Sequence, residues 1–550
     1  MFVDNSIVAQ RKMFTLESDL DDRLKKKLAR HWSAVFFEKV FLGIDEKCFA
    51  PLYCGNNGRP NFPVNILVGM EILKEMWNLT DEQLFERYYY DISFRRALGL
   101  SDFNEHIIAE KTLYNFRASL AQHDRERGAS LMEPVFRMLR DDIIRELGIK
   151  TGTRRTDSTL IGANIKKMSR LMLFHKTLSN LVRDMRALEM SVSKEIEEIL
   201  REDEDRVTYR LDRNEYEKTT RLIAGYLYRL VAGHLGDWRI SAQQSYLNAR
   251  RLIDEQCHIS RKKKVFLKES MEISSSSMQN PADPDATYRK KNGEAHRGYA
   301  VHATETCDAE NAIQVVMDVA VVKNNVDDAA VLAESIAEYK EGSALEMIIA
   351  DGGFVSDAVR EVCLANDVTI ITSAIRGKTA DASPDRLTSK DFSYDEETGE
   401  ILLCPAGHAP RSVSVTGTKS VANFNPKKCA RCKRRTLCPV RISRTQSRYV
   451  VDDTRRWLDE RHEALKTGEY QEMCKMRPPV EGLMSQLKPK YLKGRVKFRR
   501  IERVRSRMVY RGIGVNFKRY RAHLLDLFLG FIEKLIEACH FSRWAVGVAN

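Results

Sequence analysis

Apolar residues recur at helical spacing through the first 145 positions. After Pro63, the run Ile66, Leu67, Met70, Ile72, Leu73 and Met76 predicts a helix with a broad apolar face. Thr80, with Gln83 three residues on, has the form of a capping box for a second helix carrying Leu84, Phe85 and Tyr88. A third helix starts near Thr112 and holds Leu113, Phe116 and Leu120. Short helices with tight turns suit either an ordinary bundle or a helix-turn-helix module that offers one helix to a DNA groove. This all-α segment is bounded at 1–145.

From about residue 150 the period changes. Lys150 to Ile161, with Thr153, Thr156, Asp157, Ser158 and Thr159, reads as a strand. Leu171, Leu178, Met185, Val192 and Ile199 then repeat every seven residues, with Phe174, Leu181 and Leu188 at the offset positions. That spacing predicts a coiled-coil-type seam over four heptads. The seam is either the core of a helical insertion, 165–270, or a dimer zipper; apolar stretches at Leu222–Val231 and Tyr246–Ile253 favour the folded-back insertion. Strand signals return at Gly298–Cys307 and Ala312–Val322. A helix from Asp327, a buried strand Leu345–Ala350, a helix Val355–Asn366 and a strand Val368–Ile375 follow. Three strands and then helix–strand alternation imply a mixed sheet with a parallel part, which is also the order of the ribonuclease H-like fold. This core spans 146–376, a polar cysteine-bearing segment 377–450 interrupts it, and helical periodicity resumes over 451–550.

The chain has 550 residues and 43% hydrophobic content, enough for a sizeable core and too apolar for a disordered polyelectrolyte. No apolar run reaches eighteen residues, so no membrane partner is expected, and the N-terminus lacks a signal-peptide layout. Eleven cysteines, an odd and sparse number, fit a reducing cytoplasm. The net charge is +13. From Lys488 to Arg521 there are fourteen Lys or Arg and one acid, Glu502. Such a block points to a polyanion, nucleic acid being the usual one. Tyr491, Phe498, Val504, Met508, Tyr510 and Phe517 interleave the charges, which favours a folded basic surface over a solvated tail.

Four cysteines, Cys404, Cys429, Cys432 and Cys438, include one Cys-x2-Cys pair. In a polar, basic segment they suggest a structural zinc site, with His408 as an alternative ligand and free thiols as the other reading. Lys427, Lys428, Arg431, Lys433, Arg434 and Arg435 surround them, so this segment is a further place for DNA contact. Cys48, Cys54, Cys257, Cys307, Cys363 and Cys539 read as isolated buried thiols. His302 reads as a satisfied strand histidine rather than a catalytic one. Asp157 lies within the first strand and Asp351 ends a buried strand before two glycines. Carboxylates there would repel unless a cation neutralised them. Glu481, on a later helix, is the third acid.

Arg154-Arg155-Thr156-Asp157-Ser158-Thr159-Leu160, Ile348-Ile349-Ala350-Asp351-Gly352-Gly353-Phe354 and Arg477-Pro478-Pro479-Val480-Glu481 resemble the three acidic motifs of bacterial insertion-sequence DDE transposases. Arg477, Glu481 and Lys488 fill an Arg-x3-Glu-x6-Lys spacing. Asp283-Pro284-Asp285 followed by Gly298-Tyr299 is similar to the segment before the second strand in this group. Phe94-Arg95-Arg96-Ala97-Leu98-Gly99-Leu100 with Thr112-Leu113-Tyr114-Asn115-Phe116-Arg117 is similar to its N-terminal domain.

The resemblance implies an α/β fold: a ribonuclease H-like core, two insertions and an all-α DNA-binding domain. It implies two Mg2+ or Mn2+ ions held by Asp157, Asp351 and Glu481, cleavage at the element's ends and strand transfer into target DNA. Arg477 and Lys488 would contact phosphates, with Lys490, Lys493, Arg495, Lys497, Arg499 and Arg500 of the basic region. Partners would be double-stranded DNA, both inverted-repeat ends and target, and a second copy in a dimer or larger assembly, at the nucleoid of a bacterial cytoplasm. Two alternatives stay open on sequence: an inactive or repurposed DNA-binding protein, and a nuclease that cuts without joining. The family's tyrosine three residues before Arg477 is Cys474 here, and Tyr470 is off register. Pro478-Pro479 breaks a helix ahead of Glu481, so Pro479 is expected at a first helical position.

Overall fold

Strand β1, Thr153–Gly162, is the axis around which the other elements are arranged. Its threonines and Ile161 suit a pleated surface covered on both faces. Strand β2 is Thr287–Lys291 and β3 is Glu294–Thr306. β3 pairs antiparallel with β1 from Arg154↔Thr306 to Gly162↔Gly298. Strand β4, Val316–Lys323, continues antiparallel on β3. On the other side β5, Met347–Ala350, and β6, Thr369–Thr372, add in parallel. The order is β4-β3-β1-β5-β6, with β2 sharing the outer edge of β3. The crossovers carry helices Asp328–Lys340 and Asp357–Ala365. In this computed structural model the described residues are 1–5, 18, 20–55, 58–209, 211–291, 293–341, 343–372, 385–489 and 494–548, with side chains up to 532 except that of residue 454.

The expected order of elements is present, with differences that have local causes. β2 escapes the sequence reading because Tyr288-Arg289-Lys290-Lys291 lacks an apolar alternation. The strand expected from Ala312 begins at Val316, after a turn at Asp308–Asn311. The edge of β3 passes from β2 to β4 at Gly298. Gly298 has φ +153°, and a Cβ there would lie 2.2 Å from the Ile161 carbonyl oxygen. Backbone cannot yield at that distance, so only glycine fits this close approach of β1 and β3.

The N-terminal helices include Val64–Trp77, Asp81–Tyr90, Glu110–Arg127 and Met132–Leu147. The capping box of Thr80 and Gln83 is present. These helices share one apolar core with β3, β4 and the long helix Ile501–Val548. Much of the basic block therefore turns inward. Glu71 and Glu75, one turn apart and buried, meet Arg507 and Arg511, also one turn apart and buried. Arg511 Nε lies 3.0 Å from Glu75, and Arg117 Nε donates to Glu71 at 2.5 Å. Arg519 pairs with buried Glu305 at 2.6 Å. Taking these charges out of water is tolerated because each meets an opposite one.

The helical insertion has its own core, Leu171, Phe174, Leu178, Leu181 and Met185 packing on Ile223, Leu227, Leu252 and Ile253. The seven-residue seam is thus internal packing. The expectation of four continuous heptads is corrected: helix Arg170–Ala187 stops, and Glu189 takes φ +56°. Val192 and Ile199 rejoin the same core beyond the break, Ile199 from the short helix Lys194–Ile199. A hydrophobic repeat survives a turn when both sides fold onto one cluster. The expectation of buried isolated thiols is also corrected for Cys54, which is exposed, and Cys48, which is half-buried; the Cys539 side chain lies outside the described residues.

Between β6 and the last helices stands a small β-domain. Its four-stranded sheet joins Ser412–Thr416, Lys419–Phe424, Ser447–Val451 and Arg441–Ile442. Phe392 stacks on Tyr449 at 4.1 Å in a core with Ile401, Phe424, Val440 and Val451. Among the described helices, none is long and apolar enough to cross a membrane.

Gly298→Ala is expected to prevent folding, while Gly225→Ala, in open space on a helix, leaves solubility and the melting temperature within about 2 °C of the parent. Soluble yield and thermal melts check the pair.

Candidate active site

The parallel register of β1 and β5 runs Thr153↔Met347, Arg154↔Ile348, Arg155↔Ile349. Two more residues along each chain bring Asp157 level with Asp351. Asp157 is in the middle of β1 because β3 holds it there, opposite Ala303. Asp351 is at the carboxyl end of β5, where ligand sites gather in open α/β sheets. Its Oδ1 accepts the Gly353 N–H at 2.6 Å, and a Cβ on Gly353 would lie 2.8 Å from that oxygen. Glycine therefore keeps this carboxylate in its turn.

Glu481 comes from helix Val480–Leu487, whose N-cap is Pro479. The double proline immediately precedes this helix; Pro479 caps it, one residue short of the first helical position expected, and Glu481 is in the first turn. Val480, Leu483 and Leu487 are buried and seat the helix, leaving Glu481 exposed in its first turn. Arg477 lies in the turn before it. Arg477 Nη2 is 2.9 Å from Asp157 Oδ2 and 3.9 Å from Asp351 Oδ2, and Nη1 is 3.7 Å from Glu481 Oε1. One guanidinium thus touches all three acids. Its Nε is buried with no hydrogen-bond partner among the described residues.

Burial pushes the Asp157 carboxyl above its ordinary range, and Asp351 adds repulsion; the Ser158 N–H and Arg477 act the other way. Among the described residues, no three His, Cys, Asp or Glu side chains stand in a metal-holding arrangement. The hard oxygen donors nevertheless suit a divalent ion, and the acid cluster already requires a cation, which Arg477 supplies.

Sequence reasoning missed the support of this turn. Arg155, on the same face of β1 as Asp157, donates Nη1 to the Met476 carbonyl at 2.8 Å and Nε to Glu305 at 2.7 Å. Its neighbour Arg477 is held over the acids accordingly. Position within the Arg154-Arg155-Thr156-Asp157 stretch was the available signal, because alternation along a strand puts residues i and i+2 on one face. Tyr470 is buried, and its hydroxyl bonds the Thr372 backbone and Arg461, so it has no free ring face for a base. His302 is buried beside Asp328, 3.5 Å away, and burial lowers its pKa to about 4; it lies opposite Ser158 in the strand pairing and its ring meets Phe354 edge-on.

Of the expected DNA contacts, Lys488, Arg495 and Arg499 are exposed, Arg499 with Nε on the Asn164 carbonyl at 2.9 Å. Lys497 and Arg500 are half-buried, and Lys490 and Lys493 lie outside the described residues. Residues 494–500 lie against the end of β1, where Val496 donates to the Gly162 carbonyl at 2.9 Å. Asp283 fixes the far end: its Oδ1 accepts from Tyr299 Oη at 2.6 Å and from the Arg500 N–H at 3.0 Å. The cysteines Cys404, Cys429, Cys432 and Cys438 line one small cavity of about 20 Å³ in the β-domain, and the His408 N–H lies 3.4 Å from Cys404 Sγ.

Two family models match the chain. One is described as Transposase domain (DUF772), at residues 19–119, and the other as Transposase DDE domain, at residues 403–521. The second contains Glu481 and Arg477 and ends before the exposed part of the last helix. No curated protein and no solved structure matches. Neither match spans half of the chain, but both point to one class and support a DNA transposase. More narrowly, they support an insertion-sequence DDE transposase.

Burial pushes the Asp283 carboxyl up to about 6. A carboxyl that holds its proton more tightly folded than unfolded loses stability as pH rises between its two pKa values, and the full cost stays above the folded one. Asp283→Asn keeps the Oδ1 acceptor and removes the charge. Its melting temperature is expected to exceed the parent's at about pH 8 and to show no gain at about pH 4. Thermal melts at the two pH values check the sign.

Proposed function

We propose that Asp157, Asp351 and Glu481 are the catalytic acids of this transposase, acting on element ends and then on target DNA. The observation that carries the reading is that Arg477 lies within 4 Å of carboxylates from three separate elements. The sheet order β4-β3-β1-β5-β6, antiparallel on one side of β1 and parallel on the other, supports a ribonuclease H-like core. Phosphodiester cleavage needs an activated water and a stabilised leaving oxygen. Two Mg2+ or Mn2+ ions held by the three acids would supply both when bound.

The chain's own residues do the rest. Arg155 fixes the Met476 carbonyl and with it the approach of Arg477. Arg477 offsets the repulsion among the acids. Lys488, Arg495 and Arg499 present exposed positive charge to the DNA backbone. Cleavage leaves a 3′-hydroxyl, which displaces a target 3′-oxygen in the joining step, so one phosphodiester forms as another breaks. Two ends must be joined together, which calls for at least a dimer on DNA, at the nucleoid of a bacterial cytoplasm.

The four cysteines are read as a structural zinc site. Thiols from separate turns share one cavity, and an N–H aimed at Cys404 Sγ suits a thiolate. They would have to turn toward a common centre to share the ion, because no three are so arranged among the described residues. A domain with so small a core gains from such a staple.

Asp351→Asn is expected to lower magnesium-dependent cleavage of terminal-repeat DNA by at least about 10³-fold, with DNA affinity unchanged within about threefold. A cleavage assay beside a binding titration checks this, and retained cleavage removes Asp351 from the site. The purified chain is expected to carry one zinc per molecule, and Cys432→Ser to lose it and melt lower. Elemental analysis with thermal melts checks both.

A further inference from the structure

We propose that the small β-domain between β6 and Arg477 is a second DNA-binding surface, which grips the phosphate backbone of a duplex without reading sequence. Residues 401–451 contain eleven Lys or Arg and neither Asp nor Glu. The contrast with the basic block of residues 488–521 decides the matter. There, Arg507, Arg511 and Arg519 are neutralised by Glu71, Glu75 and Glu305. In the β-domain the neighbouring ion pairs belong to Arg386, Arg455 and Arg456, outside residues 401–451, and none of the eleven cations is ion-paired among the described residues. The positive charge still open to solvent is therefore concentrated here rather than where the sequence has its densest basic run.

Five of these side chains, Lys427, Lys428, Arg431, Lys433 and Arg434, line one open concavity of about 570 Å³. All five are exposed. They stand on a short helix and turns from which Cys429 and Cys438 pack on the core formed by Phe424, Val440 and Tyr449. A folded frame holds the charges at fixed spacing, so little ordering is needed on binding. The concavity has no aromatic or aliphatic anchor of the kind that dominates protein–protein interfaces, and lysine is depleted at such interfaces. A lattice of phosphates fits it better: dense cations, no acid to impose a pattern, and arginines able to pair with phosphate oxygens.

The surface is also coupled to the acids. The last strand of the domain leads into helix Asp453–Ala464 and then Gly468–Lys475. The second of these is tied to β6 by Tyr470 Oη, which accepts the Thr372 N–H at 3.0 Å. Arg477 follows at once. DNA held on the domain is thus joined to the acid cluster through two packed helices. The partner is duplex DNA flanking or receiving the element, an assignment that rests on the transposase reading.

The test uses the full chain with Lys427→Ala, Lys428→Ala, Arg431→Ala and Lys433→Ala combined, all exposed side chains that can change without disturbing the core. Binding to a random-sequence duplex is measured over a range of salt. Each lost phosphate contact removes about 0.9 from the slope of log affinity against log salt. The slope is expected to fall by roughly 3 and the affinity by at least about tenfold. A control replaces Arg261, Lys262, Lys263 and Lys264, an equally exposed basic turn, by asparagine; it is expected to leave the slope within about 1 of the parent. An unchanged slope in the first variant, or an equal fall in the control, overturns the proposal. Tighter binding of single-stranded RNA with the same sensitivity overturns the duplex assignment. Asp351→Asn tells the two readings apart: it abolishes cleavage with the slope intact if the acids are catalytic, and it cleaves normally if only that assignment is wrong.

Discussion

Carboxylates brought together over the inner strands of a sheet repel one another, and something positive has to lie among them. Here it is the Arg477 guanidinium, which reaches Asp157, Asp351 and Glu481 together. A charge pair about 4 Å apart is worth on the order of 4 kcal/mol at an effective dielectric near 20. Only the contact with Asp157 is buried enough to approach that value; Asp351 and Glu481 are more exposed, and solvent screens their contacts. Together the three contacts draw the turn before helix Val480–Leu487 onto β1, and Arg155 braces that turn from the same strand face. Oxygen donors and charges of this kind are also what a phosphate or divalent ions would engage.

The second constraint is the fate of the remaining basic charge. A long helix rich in arginine enters the shared core only if buried acids meet it. Glu71 and Glu75 do so one turn apart, matching the one-turn spacing of Arg507 and Arg511. Removing one partner would leave an unpaired buried charge, so the pairs fix the register of the helix against the N-terminal layer. In consequence the N-terminal helices, the sheet and the last helix form one body. The β-domain follows the opposite rule, with its acids outside residues 401–451 and its cations turned to solvent.

Periodicity and end signals were enough to locate most elements: the box at Thr80, the strand around Asp157, the acid at the end of β5, the helix start at Pro479. These are local, because capping, alternation and proline geometry act within a few residues. The three acids stood out as candidates chiefly through the resemblance of the motifs around them, and less through position alone. Fluctuating signals misled where local pattern and contact part ways. The seven-residue seam crosses the turn at Glu189 since apolar spacing records burial and not helix continuity.

Sequence alone thus determined most of the element order, the spacing of the cysteines and the sign of the charge, and it singled out three acids as candidates through a family resemblance. Only the tertiary structure decided which charges are free. Whether an arginine faces DNA or a buried glutamate depends on residues hundreds of positions away, as Arg519 with Glu305 and Arg511 with Glu75 demonstrate. The same holds for Arg477, whose place among the acids is set by the register of β1 on β5 and by Arg155. Long-range pairing of charges is a property of packing, and no spacing along the chain encodes it.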